Sequence, residues 1–140
     1  MRVILDTNVF VSGVFFTGPP HLILKAWRDG KLRLVVSAEI LDEYRRVGQA
    51  LGEQFPAINL GPFLDLVAAN AEMYPSPSLS APVCVDPDDD KFFACAVAGK
   101  IKVIVSGDKH LLQVSGYRGV SVLKPREFLD AYLKAGEYLT

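Results

Sequence analysis

Residues 1–10, MRVILDTNVF, decide how this chain is read. Val3, Ile4 and Leu5 form an apolar run too short for a buried helix and long enough for an interior strand of a parallel sheet. Asp6 stands where such a strand ends, and Thr7 and Asn8 lead into a second apolar run. In open α/β sheets, chemistry collects beyond the carboxyl ends of the strands, where the strand order reverses. An ionised carboxylate set against a strand core is costly unless a positive charge or hydrogen-bond donors hold it. Asp is also common as a turn or cap residue at strand ends. What decides between the two roles is whether other groups converge on Asp6.

The rest of the chain alternates strand and helix patterns. Residues 9–16 read as a short helix and loop, closed by Gly18-Pro19-Pro20. Residues 21–30 have helical spacing and stop at Gly30. Residues 32–36 read as a strand, and Ser37 caps a helix over residues 38–50. Residues 52–61 read as an irregular connection, residues 62–74 as a helix with Pro62 in its first turn, and residues 75–82 as a Ser/Pro loop. Residues 83–85 then read as a strand, VDPDDD (residues 85–90) as an acid-rich turn, and residues 91–98 as a buried helix. Residues 103–105 are a strand leading into Ser106-Gly107-Asp108 and a short helix over residues 109–113. Residues 120–123 are the last strand and residues 125–135 the closing helix. About five strands alternating with helices indicate an α/β fold with a mainly parallel sheet covered on both faces. No repeat or linker interrupts residues 1–140, so a single domain is expected, large enough to bury a core.

Composition narrows the classes. Half of the residues are hydrophobic, and 15 Lys and Arg face 16 Asp and Glu. That balance fits a globular protein and excludes a disordered chain or one that coats nucleic acid broadly. Cys84 and Cys95 lie apart in apolar surroundings without a CxxC pairing, which fits buried reduced thiols. No apolar run reaches the ~18–20 residues that span a bilayer, and Asp6 interrupts any signal-peptide pattern. No membrane association is expected, and a cytoplasmic location is.

The acids carry the functional reading. In the helix SAEILDEYRRV, Ile40, Leu41, Tyr44 and Val47 mark an apolar face. Glu43 falls beside that face, while Glu39 and Asp42 point further out. An isolated helix with this pattern would simply pack the Glu43 stem along the core. Asp86, Asp88, Asp89 and Asp90 precede the buried helix, where one Asp suffices for capping. Two carboxylates ~4 Å apart repel by about 4 kcal/mol at an effective dielectric of 20, so four in five residues either splay into water or share a cation. Asp90, nearest the helix, is the most firmly placed, and Asp86, Asp88 and Asp89 are less so. Asp108 repeats the logic of Asp6, with Gly107 allowing a tight turn after a strand. Oxygen ligands without paired histidines suit Mg²⁺ or Mn²⁺ rather than zinc. Lys25, Arg28, Arg45, Arg46, Lys91, Lys109, Lys124 and Arg126 form a phosphate-binding rim only if the fold gathers them. His21 and His110 are isolated from each other and from the cysteines.

Asp6-Thr7-Asn8 after a first strand, Glu43 on the helix after the second, Asp90 before an Ala-rich helix and Ser106-Gly107-Asp108 after a later strand together resemble the PIN domain. The resemblance is nearest to bacterial and archaeal members assigned as toxins of toxin–antitoxin pairs, whose motifs read much like DPDDDKFFACAVA and VIVSGDKHLL. It implies a three-layer α/β/α fold and a ribonuclease acting on single-stranded RNA with Mg²⁺ or Mn²⁺. Carried over by position, Asp6, Glu43, Asp90 and Asp108 match the acidic quartet, catalytic and metal-binding, and Thr7, Asn8 and Ser106 match its polar support. The resemblance also implies a small antitoxin protein as partner and self-association as a homodimer or larger oligomer, with residues 9–16 and 132–139 as the apolar surfaces for it.

Two other functions compete. A haloacid-dehalogenase-like phosphatase would use Asp6 as nucleophile, but that class requires a second Asp where this chain has Asn8. A non-catalytic RNA- or protein-binding module on the same fold would be better served by lysines than by four acids at its centre.

Overall fold

The two apolar runs at residues 3–5 and 103–105 pair side by side at the middle of a sheet. The computed structural model describes residues 1–133. Strands β1 (Arg2–Leu5), β2 (Arg33–Val36), β3 (Glu72–Met73), β4 (Val103–Val105) and β5 (Ser121–Leu123) form one parallel sheet in the order β3-β2-β1-β4-β5. Ile4 pairs with Ile104 and Leu5 with Val105, and the Asp6 amide donates to the Val105 carbonyl at 3.0 Å. Helices α1 (Thr7–Phe15), α2 (Pro19–Arg28), α3 (Ala38–Gln54), α4 (Gly61–Asn70), α5 (Asp90–Gly99), α6 (Lys109–Leu112) and α7 (Pro125–Tyr132) flank it. The result is the expected α/β/α architecture. From β1 the chain steps to β2 on one side, while β4 lies on the other. The crevice between the ends of β1 and β4 is therefore where the strand order reverses.

Burial explains the strands. Val3, Ile4, Leu5, Val35, Val36, Ile104 and Val105 are wholly buried, as strands covered on both faces require. Helices α1 and α2 meet at 86°. Gly13 permits their close approach, because a Cβ there would stand 2.8 Å from the Pro20 carbonyl oxygen and 2.6 Å from the Leu24 side chain. Helix α3 is fixed to α1 by the stacked rings of Phe10 and Tyr44, 4.2 Å between centroids and both fully buried. Across the amino ends of the strands, Glu72 pairs with Arg2 at 3.3 Å and Arg33 at 3.2 Å, linking β1, β2 and β3. Among the described residues, no single helix is long and apolar enough to cross a membrane. Cys84 and Cys95 are free and buried.

The expected elements need four corrections. Residues 83–85 form no strand, because the Val83 and Cys84 amides are taken by the Asp90 carboxylate at 3.2 and 2.7 Å instead of by a ladder. The missing strand lies inside residues 62–74: α4 ends at Asn70, and Glu72–Met73 joins the sheet edge beside Val35 and Val36. Helix α3 runs on to Gln54, into the expected connection. Finally, residues 9–16 offer little free apolar surface, since Val9, Phe10, Val11, Val14 and Phe15 belong to the core while Phe16 is exposed. Of the second expected apolar surface, residues 134–139 lie outside the described residues, as does residue 135 of the closing helix.

Candidate active site

Asp6 sits at the end of β1 and is buried. It caps α1, accepting from the Val9 amide at 2.8 Å through Oδ1, so the structural role expected of a strand-end Asp is real. Its other oxygen accepts from the Ser106 hydroxyl, and the same Ser106 Oγ accepts from the Asp108 amide at 3.0 Å. Ser106, fully buried at the end of β4, thereby ties the two strand ends together. Asp108 in turn caps α6 through the His110 amide at 2.8 Å.

Glu43 reaches the same place from α3. Its neighbour Tyr44 points inward and donates to the Leu5 carbonyl at 2.5 Å, anchoring α3 one residue before Asp6. Glu43 Oε1 accepts from Thr7 Oγ1, and Glu43 Oε2 from Lys91 Nζ at 2.7 Å. We expect Tyr44→Phe to cost about 1–2 kcal/mol by chemical denaturation, the loss of one buried hydrogen bond with the Leu5 carbonyl left unpaired. The ring stack with Phe10 would remain.

The acid-rich turn supplies the remaining carboxylates, with a change of register. Residues 87–89 form one 3₁₀ turn before α5, capped by the Asp86 side chain on the Asp88 amide at 3.0 Å. That turn directs Asp89 into a cleft of about 220 Å³ together with Asp6, Thr7, Asn8, Glu43, Asp86, Asp88 and Asp108. Asp90 is not among them. Its carboxylate points back onto the Val83 and Cys84 amides and borders a separate cleft under residues 76–82. The expectation that Asp90 faces the other acids is thus corrected in favour of Asp89. Thr7 and Asn8 line the cleft, Thr7 buried and Asn8 exposed at the rim, while the buried Ser106 reaches Asp6 from behind it.

The electrostatics follow from this crowding. Burial, reinforced by the charges of Asp108 and Asp89, pushes the Asp6 carboxyl up from 3.8 to about 6 against the pull of Ser106 and the Val9 amide. Burial and the charges of Asp86, Asp108 and Glu43 raise Asp89 from 3.8 to about 6 as well. A cleft that holds carboxylates at this cost fits a hard divalent cation, which would offset both the burial and the mutual repulsion. Among the described residues, however, no three acids, histidines or cysteines are already gathered into an ion cage. Glu43 is drawn to Lys91 and Thr7, and Asp86 and Asp108 to backbone amides. Of the scattered cations, Arg46 and Lys91 reach the shoulder of the cleft, and Arg45 and Arg46 pair with Asp42.

A family model described as PIN domain matches residues 2–110. The chain belongs to the PIN domain family. That family is one of nucleases, generally metal-dependent. The matched span runs from β1 past Asp108 and so contains every acid of the cleft. An uncharacterized protein of Methanocaldococcus jannaschii is 28% identical over 147 residues, covering 96% of this chain and 93% of its own length. No solved structure matches the chain.

Three residues in or beside this PIN domain cleft escape sequence reasoning. Tyr44 looks like one more apolar-face residue, although a buried Tyr beside an inward-leaning Glu signals a hydroxyl in need of an acceptor. Lys91 looks like one surface cation among several. Asp89 is hidden among identical neighbours.

Proposed function

We propose that this protein is an endoribonuclease that cleaves phosphodiester bonds of single-stranded RNA with Mg²⁺ or Mn²⁺. Its site acids are Asp6, Glu43, Asp89 and Asp108, with Thr7, Asn8 and Ser106 in support. The observation that carries the reading is the convergence of carboxylates from four separate chain segments on one open cleft at the reversal of strand order. When bound, a divalent ion supplies Lewis acidity toward the scissile phosphate and the attacking water.

The chain's own residues do the rest. Asp6, Asp89 and Asp108 would hold the ion, reaching the cleft from the end of β1, the 3₁₀ turn and the loop after β4. Ser106 fixes the Asp6 carboxylate and Thr7 that of Glu43, so neither swings freely. Asn8, exposed at the rim, is free to meet the RNA backbone or a base edge. Asn8 stands where phosphatase chemistry at Asp6 would need a second Asp, which weighs against that reading. We further assign the protein as the toxin of a cytoplasmic toxin–antitoxin pair that binds a small antitoxin protein and self-associates, on the likeness of DPDDDKFFACAVA and VIVSGDKHLL to such members.

The test is cleavage of an end-labelled single-stranded RNA pool with Mn²⁺, Mg²⁺ or EDTA. Cutting with either ion and none in EDTA is the expected result. An RNA pool left intact with both ions would remove the nuclease reading, and RNA retained on the protein without cutting would favour a binding module.

A further inference from the structure

A lysine stands at the shoulder of the acidic cleft, bonded to one of its acids. Lys91 lies in the first turn of α5, and its Nζ is 2.7 Å from Glu43 Oε2, 3.0 Å from Asp88 Oδ2 and 3.0 Å from the Asp88 carbonyl oxygen. An ammonium has three N–H groups, and these three acceptors use all of them. The side chains of Lys91 and Glu43 are 11% and 14% exposed, so the pair is mostly shielded from water. Burial works against the charge on Lys91, yet its bonds to Glu43 and Asp88 prevail and hold its pKa above the ordinary lysine value. With Thr7 on its other oxygen, Glu43 has both oxygens committed before any ion arrives.

We infer that Lys91 is an internal counter-cation that holds Glu43 away from the ion-binding set, so that a divalent ion must take this carboxylate from the ammonium and Lys91 sets the ion affinity of the cleft. The inference rests on the nuclease reading above and deepens it. Two roles for Lys91 give opposite signs. A tether that merely orders Glu43 would strengthen ion binding, and its removal would weaken it. A competing cation opposes ion binding, both by occupying Glu43 and by repelling the incoming charge, so its removal strengthens it.

The experiment is calorimetric titration of ion-free protein with Mn²⁺, paired with thermal unfolding across the same Mn²⁺ range, for wild type, Lys91→Met and Lys91→Arg. Lys91→Met keeps the stem and removes the charge. It should unfold at a lower temperature without ion, because Glu43 is left buried beside other acids. It should also bind Mn²⁺ about tenfold more tightly and show the larger Mn²⁺-dependent rise in Tm. Lys91→Arg should keep the wild-type affinity. If Lys91→Met does not fold without ion, recovery of folding on adding Mn²⁺ supports the inference, and failure to fold in saturating Mn²⁺ overturns it. Wild type that binds Mn²⁺ beside a folded Lys91→Met of equal or weaker affinity overturns the inference and leaves the nuclease reading standing. Wild type that binds no Mn²⁺ overturns both.

Discussion

Asp6→Asn should make the ion-free protein more stable at pH 7 while lowering RNA cleavage by more than about a hundredfold, since even the outer partners of metal ligands are worth 10–100-fold. The gain in stability follows from linkage. Asp6 titrates at 3.8 in the unfolded chain and at about 6 in the folded one. Below pH 3.8 it is protonated in both states and costs nothing. Between pH 3.8 and about 6 the unfolded chain gives this proton up to water while the folded state still holds it, so stability falls across that window. Above it the folded state carries a buried carboxylate. The penalty levels off there at about 3 kcal/mol. Asn removes the charge and keeps the shape. Its oxygen still accepts from the Val9 amide, and the Ser106 hydroxyl can turn to accept from the new amide group. Ion-free wild type should therefore gain stability through this group between pH 7 and pH 4, and that gain should be missing from the variant. Urea unfolding at several pH values, in EDTA, measures both. A variant less stable than wild type at pH 7 would contradict the account of Asp6, and full cleavage by purified Asp6→Asn would place the site elsewhere.

The second large effect separates two adjacent residues. Asp89→Asn should abolish cleavage and leave the ion-free fold as stable as wild type or more so, because the ionised form of Asp89 is disfavoured by burial and by Asp86, Asp108 and Glu43. Asp90→Ala should do the reverse. It strips the Val83 and Cys84 amides of a charged acceptor, a loss of about 2 kcal/mol, and leaves the cleft acids in place. Cleavage per folded molecule should survive. Measuring rates and denaturant midpoints for both variants decides the assignment. If Asp90→Ala loses cutting while remaining folded and Asp89→Asn keeps it, the register drawn from the 3₁₀ turn is wrong.

Much of this was legible in the residues themselves. The apolar triplets at 3–5 and 103–105, each followed within three positions by an Asp, announce two strand ends, and the Gly30 stop and Ser37 cap frame β2. What stayed hidden was set by competition for backbone groups. VCV at residues 83–85 has a strand composition, yet Asp90 takes its amides. Glu72–Met73 has no strand composition and two residues only, yet Tyr74 donates to the Val36 carbonyl at 2.9 Å and Arg2 and Arg33 fix Glu72. The Asp89 register was hidden for a related reason. A 3₁₀ turn advances about 120° per residue where an α-helix advances 100°, and no pattern in a run of identical acids reveals which applies. Lys91 could be found only once α3 and α5 lay side by side.

The Ser106 bridge also fixes when in the life of the chain this chemistry can exist. Asp6 leaves the ribosome with β1, but its hydroxyl partner lies 100 positions later and Asp108 just beyond. At a ribosomal pace of about 5–20 residues per second, the amino-terminal half waits seconds before β4 can insert beside β1. Until then the carboxylates of Asp6 and Glu43 have no complete cleft to serve. The cleft is therefore incomplete on a nascent chain until β4 has been made and has inserted beside β1.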